Sequence, residues 1–131
     1  MGKAMILPKM EVLKDGYKLL ESYQSDTPIK GYTLESPHSL LTPDGQLLLK
    51  IGFKWDGPSG PAVDTPATLM PSANHDCLCG LWEQKRLAKE AKALIDDNYR
   101  GDLKNWGVSL WRRSLHFRGV RLFGGLWARF S

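Results

Sequence analysis

The sequence predicts a small α+β protein, in which an N-terminal antiparallel sheet is followed by an antiparallel helix pair and a C-terminal basic, aromatic helix or tail. Two patterns carry this prediction. Strand-forming runs separated by turn residues lie between residues 29 and 56, whereas apolar residues recur at helical spacing from about residue 72. With 131 residues, of which 42% are hydrophobic, the chain is long enough for one core, so a single domain over residues 1–131 is expected.

The predicted sheet is built from two runs, IKGYTLES (29–36) and QLLLKIGFKW (46–55). Turns are expected at Ser36-Pro37 and at Pro43-Asp44-Gly45, because proline presets φ and Asp-Gly suits a tight turn. Residues 9–24 mix helical and strand signals around Gly16, so no element is assigned to them.

The segment between the sheet and the helices, residues 56–71, is rich in proline and glycine. Such residues hold an irregular backbone in one shape at little further entropic cost. Asp56 followed by Gly57 offers a carboxylate and carbonyl oxygens, which are ligands that a hard cation such as calcium takes. A calcium site formed by Asp56, Gly57 and Asp76 is one hypothesis; a plain tight turn is the other.

Two helices are predicted after this segment, within about residues 72–118, with a tail over 119–131. The first begins near Pro71-Ser72, and the second runs from about Arg86 to Leu103. The polar stretch at residues 83–85 is expected to turn the chain back, which would place the two helices side by side.

A histidine and an aspartate on these helices form the candidate catalytic pair. His75 and Asp96 are too far apart to meet along one helix, but they meet if the helices are antiparallel. On a helical wheel Asp96 falls at the edge of the apolar arc, whereas Asp97 points to the polar side. Asp96 could then accept a hydrogen bond from one ring nitrogen of His75 and leave the other nitrogen as a base for water.

The two cysteines, Cys77 and Cys79, are the only ones in the chain. Two residues apart on a helix, their side chains diverge by about 200°, so they are poorly placed to form a disulfide. Together with His75 they offer zinc ligands, but they diverge and no fourth ligand is evident, so the spacing does not favour zinc. Near the N-terminus only Met5 to Leu7 form an apolar run, which predicts neither a signal peptide nor a membrane span.

The net charge of +4 is concentrated at the C-terminus. Residues 100–131 carry seven basic residues and one acidic residue, whereas residues 1–99 carry 11 basic and 13 acidic residues. The same segment holds six large aromatic residues: Trp106, Trp111, Phe117, Phe123, Trp127 and Phe130. Such a segment either packs its aromatics on the core or faces anionic lipid, a partner protein or nucleic acid. Nucleic acid is least favoured, because no recognised motif accompanies the charge.

The pattern GFxWDGPSGPAxDTP (52–66), followed by SxxHDxL (72–78) and VRLFG (120–124), resembles a phage and prophage family known only as a domain of unknown function. This resemblance implies a phage or prophage origin and synthesis in the host cytoplasm, with association with the virion as one option. It implies no activity.

A second resemblance links three segments to bacterial secreted phospholipases A2. These enzymes carry an Asp-Gly calcium loop, a His-Asp pair on a helix, and a second helix similar to residues 92–103 here. The resemblance implies that His75 activates water, that Asp96 orients His75, and that calcium is held by Asp56, the Gly57 carbonyl and Asp76. Calcium would polarise an ester carbonyl. The chain departs from this family in lacking its disulfides and in carrying Cys79 where tyrosine is usual.

Two functions from different classes are therefore expected. The first is a phage-encoded hydrolase with a calcium-assisted His/Asp site that cleaves a lipid-like ester, with the basic aromatic tail docked on anionic headgroups or at the cell envelope. The alternative is a non-catalytic virion or tail assembly protein that keeps the fold and binds other phage structural proteins.

Overall fold

The computed structural model of the chain describes residues 6–56 and 66–108. Short antiparallel strands come first and two helices follow, which confirms the predicted α+β class and the order of its parts. The elements are β1 (Met10–Leu13), β2 (Gly16–Leu19), β3 (Tyr23–Asp26), β4 (Leu34–Ser36), β5 (Ser39–Leu41), β6 (Gln46–Leu49), β7 (Lys54–Trp55), α1 (Pro66–Glu83) and α2 (Ala91–Asn105). The predicted C-terminal helix or tail falls almost entirely outside the described residues.

The strands form two antiparallel sheets, one with the order β1-β2-β7 and the other with the order β3-β6-β5-β4. Residues 9–24, to which no element was assigned, supply β1, β2 and the start of β3. The sheet therefore starts nearer the N-terminus than residue 29. These early strands are fixed by partners distant in sequence, such as Tyr17 opposite Trp55 and Tyr23 opposite Leu49, and their local periodicity alone does not specify them.

The run at residues 46–55 is two strands, not the single strand that its apolar pattern predicts. It breaks at Gly52, whose φ of 96° lies in the left-handed region that favours glycine. The Gly52 amide donates to the Leu19 carbonyl at 2.8 Å, and the Phe53 amide donates to the Lys50 carbonyl at 3.1 Å. This turn moves the chain from one sheet to the other, so β6 and β7 have different partners.

Both predicted turns are present. Residues 37 and 38 connect β4 to β5, and residues 42–45 connect β5 to β6. Gly45 has a φ of 86°, and a Cβ at this position would collide with the carbonyl oxygen of Thr27. Of the predicted run 29–36, only Leu34–Ser36 is a strand.

Helix α1 begins at Pro66, five residues before the predicted start, and Pro71 lies inside it. Either proline suits a first helical turn, where a missing N–H costs nothing, and the sequence pattern does not distinguish between them. Helix α2 begins at Ala91 and not near Arg86. Turns occupy the intervening residues, with Lys85 at a φ of 61°. The Arg86 guanidinium donates to Ser36 Oγ at 2.8 Å, which ties this connection to the sheet.

The core lies where α1 packs against the sheets and α2. Buried leucines of the strands meet the apolar face of α1, and the Trp55 indole N–H donates to Ser72 Oγ at 3.1 Å. Each fully buried leucine contributes about 1.5–3 kcal/mol to this packing. Side-chain contacts pair Asn74 with Asp102 and Trp82 with Lys89, so partner numbers fall as α1 proceeds and the helices are antiparallel, as predicted. Within the described residues, neither helix is long and apolar enough to cross a membrane.

Candidate functional site

The interface between α1 and α2 brings together His75 and Asp96. His75 Nε2 lies 2.8 Å from Asp96 Oδ1, and the two side chains are 7% and 0% exposed. Because a carboxylate only accepts hydrogen bonds, the Nε2–H of a neutral imidazole must be the donor, and Nδ1 then carries the lone pair. The contact predicted from the folded-back helices is therefore present.

The surroundings of this pair set its protonation. Burial lowers the pKa of His75, and this outweighs the hydrogen bond to Asp96, which acts to raise it. Burial also acts to raise the pKa of Asp96, but hydrogen bonds from His75 and Lys92 more than offset it, so the net pKa is lowered. At neutral pH the pair is thus a neutral imidazole beside an ionised carboxylate, as a base and its orienting group require.

Lys92 completes the environment of Asp96. Its ammonium nitrogen lies 2.7 Å from both carboxylate oxygens, and its side chain is 13% exposed. The sequence contained a signal for this contact, because residues four apart on a helix share a face. Lys92 was considered only as part of residues 92–103, which resemble a helix of secreted phospholipases A2. Its contact with Asp96 was therefore not predicted.

Cys79 and Tyr99 enclose the imidazole ring of His75. The ring centroids of His75 and Tyr99 are 5.0 Å apart, with the planes inclined at 47°. Cys79 Sγ is 3.5 Å from Nε2 and 3.6 Å from Nδ1. A sulfur this nearly equidistant from both nitrogens lies over the ring face, so it occupies the lone-pair direction of neither. Burial raises the pKa of Cys79 to about 12, so this side chain is a thiol at neutral pH.

The two carboxylates proposed as calcium ligands lie away from the contact between His75 and Asp96. Asp56 directly follows β7, and Asp76 lies on another side of α1 from His75. Asp56 and Asp76 are both exposed to solvent. Partial desolvation, followed by the charges of Asp56 and Glu83, raises the pKa of Asp76 to about 7. Asp56 is therefore close enough to repel Asp76, and a pair of mutually repelling carboxylates fits an oxygen-preferring divalent cation. Gly57, the third proposed ligand, lies outside the described residues.

A cleft of about 420 Å³ opens beside Asp76. Its walls are the β4–β5 turn, the connection between β6 and β7, and the side of α1 that carries Asp76, Cys77 and Gly80. His38 and Lys54 add basic character to the lining. His75 does not line the cleft, although it precedes Asp76 in the chain. No sequence pattern predicts this cleft, because its walls come from three segments that are distant in the chain.

A second polar contact joins the helices one residue before His75. Asn74 Nδ2 donates to Asp102 Oδ2 at 3.2 Å, while Asn74 Oδ1 is buried without a hydrogen-bond partner among the described residues. Desolvation raises the pKa of Asp102 to about 6, against the opposing effect of the Asn74 bond. Unlike Asp96, this carboxylate has no cationic partner among the described residues.

The structure thus assembles part of the predicted site. His75 and Asp96 are in contact, the charge of Asp56 acts to raise the pKa of Asp76, and Asp97 is exposed, as the helical wheel predicts. No protein-family model matches this chain, and no curated protein or solved structure is significantly similar to it.

Proposed function

We propose that this chain is a small phage-encoded hydrolase with a calcium-assisted His/Asp site, in which His75 activates water to cleave an ester of a lipid-like substrate. The observation that carries the proposal is the 2.8 Å hydrogen bond between His75 Nε2 and a fully buried Asp96 carboxylate. A histidine held by a buried acid is the arrangement of a general base and its orienting group.

Each member of the pair has a defined task. Asp96 keeps the proton on Nε2, so the Nδ1 lone pair is the site that accepts a proton from the attacking water. The imidazolium that results is stabilised by the Asp96 charge next to it. Lys92 supports this task because its hydrogen bonds keep Asp96 ionised. A positioned base of this kind contributes roughly 10²–10⁴-fold to a rate.

Asp56 and Asp76, with the Gly57 carbonyl, are the residues that would hold calcium. When bound, calcium would supply Lewis-acid polarisation of the ester carbonyl and stabilise the oxyanion. The choice of a lipid-like ester rests on the resemblance to secreted phospholipases A2. Binding to an anionic lipid or envelope surface through the C-terminal segment is part of the same proposal, as are a host-cytoplasmic site of synthesis and association with the virion.

The test combines ester hydrolysis with thermal denaturation. We expect His75→Gln to fold and to lower turnover by about 10²–10⁴-fold. Calcium should raise the Tm of the wild-type protein, and a chelator should abolish turnover. Asp76→Asn should remove the calcium effect on Tm, whereas Asp44→Asn, an exposed aspartate of the β5–β6 turn, should keep it. Full turnover in His75→Gln would rule out His75 as the base, and a Tm that does not change when calcium is added would rule out the metal site.

One observation favours the alternative of a non-catalytic virion or tail assembly protein. His75 is only 6% exposed and does not line the cleft, so its contact with Asp96 could serve only to lock the two helices together. In that case the protein should co-purify with phage particles and show neither turnover nor a calcium effect. DNA binding that weakens steeply with salt would instead support a nucleic-acid role.

A further inference from the structure

His75 and two of its neighbours, Cys79 and Asp96, form a cluster of three metal-ligating side chains. One ligand atom from each of His75, Cys79 and Asp96 can be chosen so that all three lie within 4.8 Å of one another. Imidazole nitrogen, thiolate sulfur and carboxylate oxygen are the ligand types that zinc uses, and three protein ligands plus water are common at open zinc sites. We infer that this cluster binds a thiophilic divalent cation such as zinc, at a position distinct from the Asp56 and Asp76 carboxylates.

The same position already holds a positive charge. The Lys92 ammonium contacts both oxygens of Asp96 at 2.7 Å, so the carboxylate is oriented toward a cation. Lys92 has a flexible stem and a side chain that is 13% exposed, which lets the ammonium move into solvent. Zinc would take its place beside Asp96, and Lys92 acts as a tethered competitor.

Coordination requires a change of tautomer and two small rearrangements. The ring proton of His75 must move from Nε2 to Nδ1 by exchange with solvent, so that Nε2 presents its lone pair to the ion. The His75–Asp96 separation of 2.8 Å must open to about 3.3 Å, which is the distance between two ligands each about 2.0 Å from a tetrahedral ion. The Cys79 side chain must also rotate from the ring face toward the ring edge. The thiol then releases its proton to solvent as the zinc–sulfur bond forms, and no residue changes its oxidation state.

This assignment differs from the zinc ligands considered from the sequence. Cys77 is buried on the side of α1 that faces Ser39 of β5, so it does not contribute. The third ligand is Asp96 of α2, which the order of residues in α1 alone does not reveal. Zinc at this position would occupy both residues of the proposed catalytic pair and would stop turnover. The binding itself does not depend on the proposed function, because it can be measured on a protein without activity.

The test uses cobalt(II), which reports thiolate ligation by a charge-transfer band in the near ultraviolet. The reduced protein should bind one cobalt ion per chain with this band, and zinc should abolish the band by displacement. Cys79→Ser should lose the band, whereas Cys77→Ser should keep it. Asp76→Asn should also keep it, which separates this site from the calcium site. Lys92→Met should bind cobalt more tightly, by roughly tenfold.

A measurement on the wild-type protein covers the case in which Cys79→Ser does not fold. Zinc should slow alkylation of Cys79 and leave the slow alkylation of Cys77 unchanged, as mapped by mass spectrometry of the digested protein. The inference is overturned by an absence of saturable cobalt binding, by a band that survives in folded Cys79→Ser, or by equal zinc protection of both cysteines.

Discussion

Two polar contacts between α1 and α2 involve an aspartate of α2, and the two aspartates differ in charge. Asp96 meets His75, and Asp102 meets Asn74, the preceding residue of α1. The pKa of Asp96 is lowered, whereas the pKa of Asp102 is raised to about 6, although desolvation acts to raise the pKa of both. Burial therefore does not decide which carboxylate stays ionised.

The difference lies in the donors that reach each carboxylate. Asp96 receives hydrogen bonds from an imidazole and from an ammonium group, and charge-assisted bonds of this kind are about twice as strong as neutral ones. Asp102 receives one bond from a neutral amide. The hydrogen bonds from His75 and Lys92 therefore keep Asp96 charged. The single amide donor does not do this for Asp102, which is nearly neutral under mildly acidic conditions.

Of the substitutions considered, Asp96→Asn should have the largest effect on stability. The amide keeps the shape of the carboxylate but leaves Lys92 and His75 without a charged partner. We expect a loss of about 3 kcal/mol in the free energy of unfolding, at the lower end for a broken buried ion pair because Lys92 can reach solvent. Chemical denaturation at neutral pH measures this loss. If the proposed function holds, turnover should also fall by more than the stability loss explains.

A stability unchanged by Asp96→Asn would contradict this account of the contact. It would mean that the Lys92 ammonium and the His75 imidazole interact with solvent as favourably as with the Asp96 carboxylate. The His75→Gln variant provides a comparison, because it removes the imidazole and leaves the ion pair of Lys92 with Asp96 intact.

Asp102→Asn should have a smaller effect of the opposite sign. The pKa of Asp102 is 3.8 in the unfolded chain and about 6 in the native state, so the native state holds its proton longer. Wild-type stability from this group must therefore fall as pH rises from about 4 to about 6, and it stays lower above that window. The Asn variant lacks this fall, so it should nearly match the wild type at pH 4 and exceed it at pH 7. We expect an excess of about 1–2 kcal/mol, because solvent at the partly exposed Asp102 reduces the roughly 3 kcal/mol that the full pKa shift represents.

Denaturation curves at several pH values measure this difference. A new amide at position 102 could also donate to Asn74 Oδ1, which has no hydrogen-bond partner within residues 6–56 and 66–108, and this bond would add stability at every pH. A variant that is less stable than the wild type at pH 7 would show that the charge of Asp102 has a favourable partner in the folded protein.

Helical periodicity predicted the half of the site that depends on local geometry. The wheel places Asp96 inward and Asp97 outward, and the polar residues 83–85 predict the turn that makes the helices antiparallel. The wheel also places Asp102 on the apolar side of its helix, but the periodicity of one helix does not identify a partner on the other, so the contact with Asn74 was not predicted. The division into two sheets was missed for a similar reason, since Gly52 interrupts a run whose apolar pattern continues past it.

Asp97→Asn should have the smallest effect on stability, and it is the matched control for Asp96→Asn. Asp97 follows Asp96 directly, has the same side chain, and differs in being exposed on the outer face of α2. Because exposed substitutions away from specific contacts change stability by less than about 0.5 kcal/mol, this variant should denature almost like the wild type. It should also leave the cobalt band and any ester turnover unchanged. A loss close to that of Asp96→Asn would assign the effect to the overall charge of α2, whereas the expected contrast assigns it to the contacts that one inward carboxylate makes with His75 and Lys92.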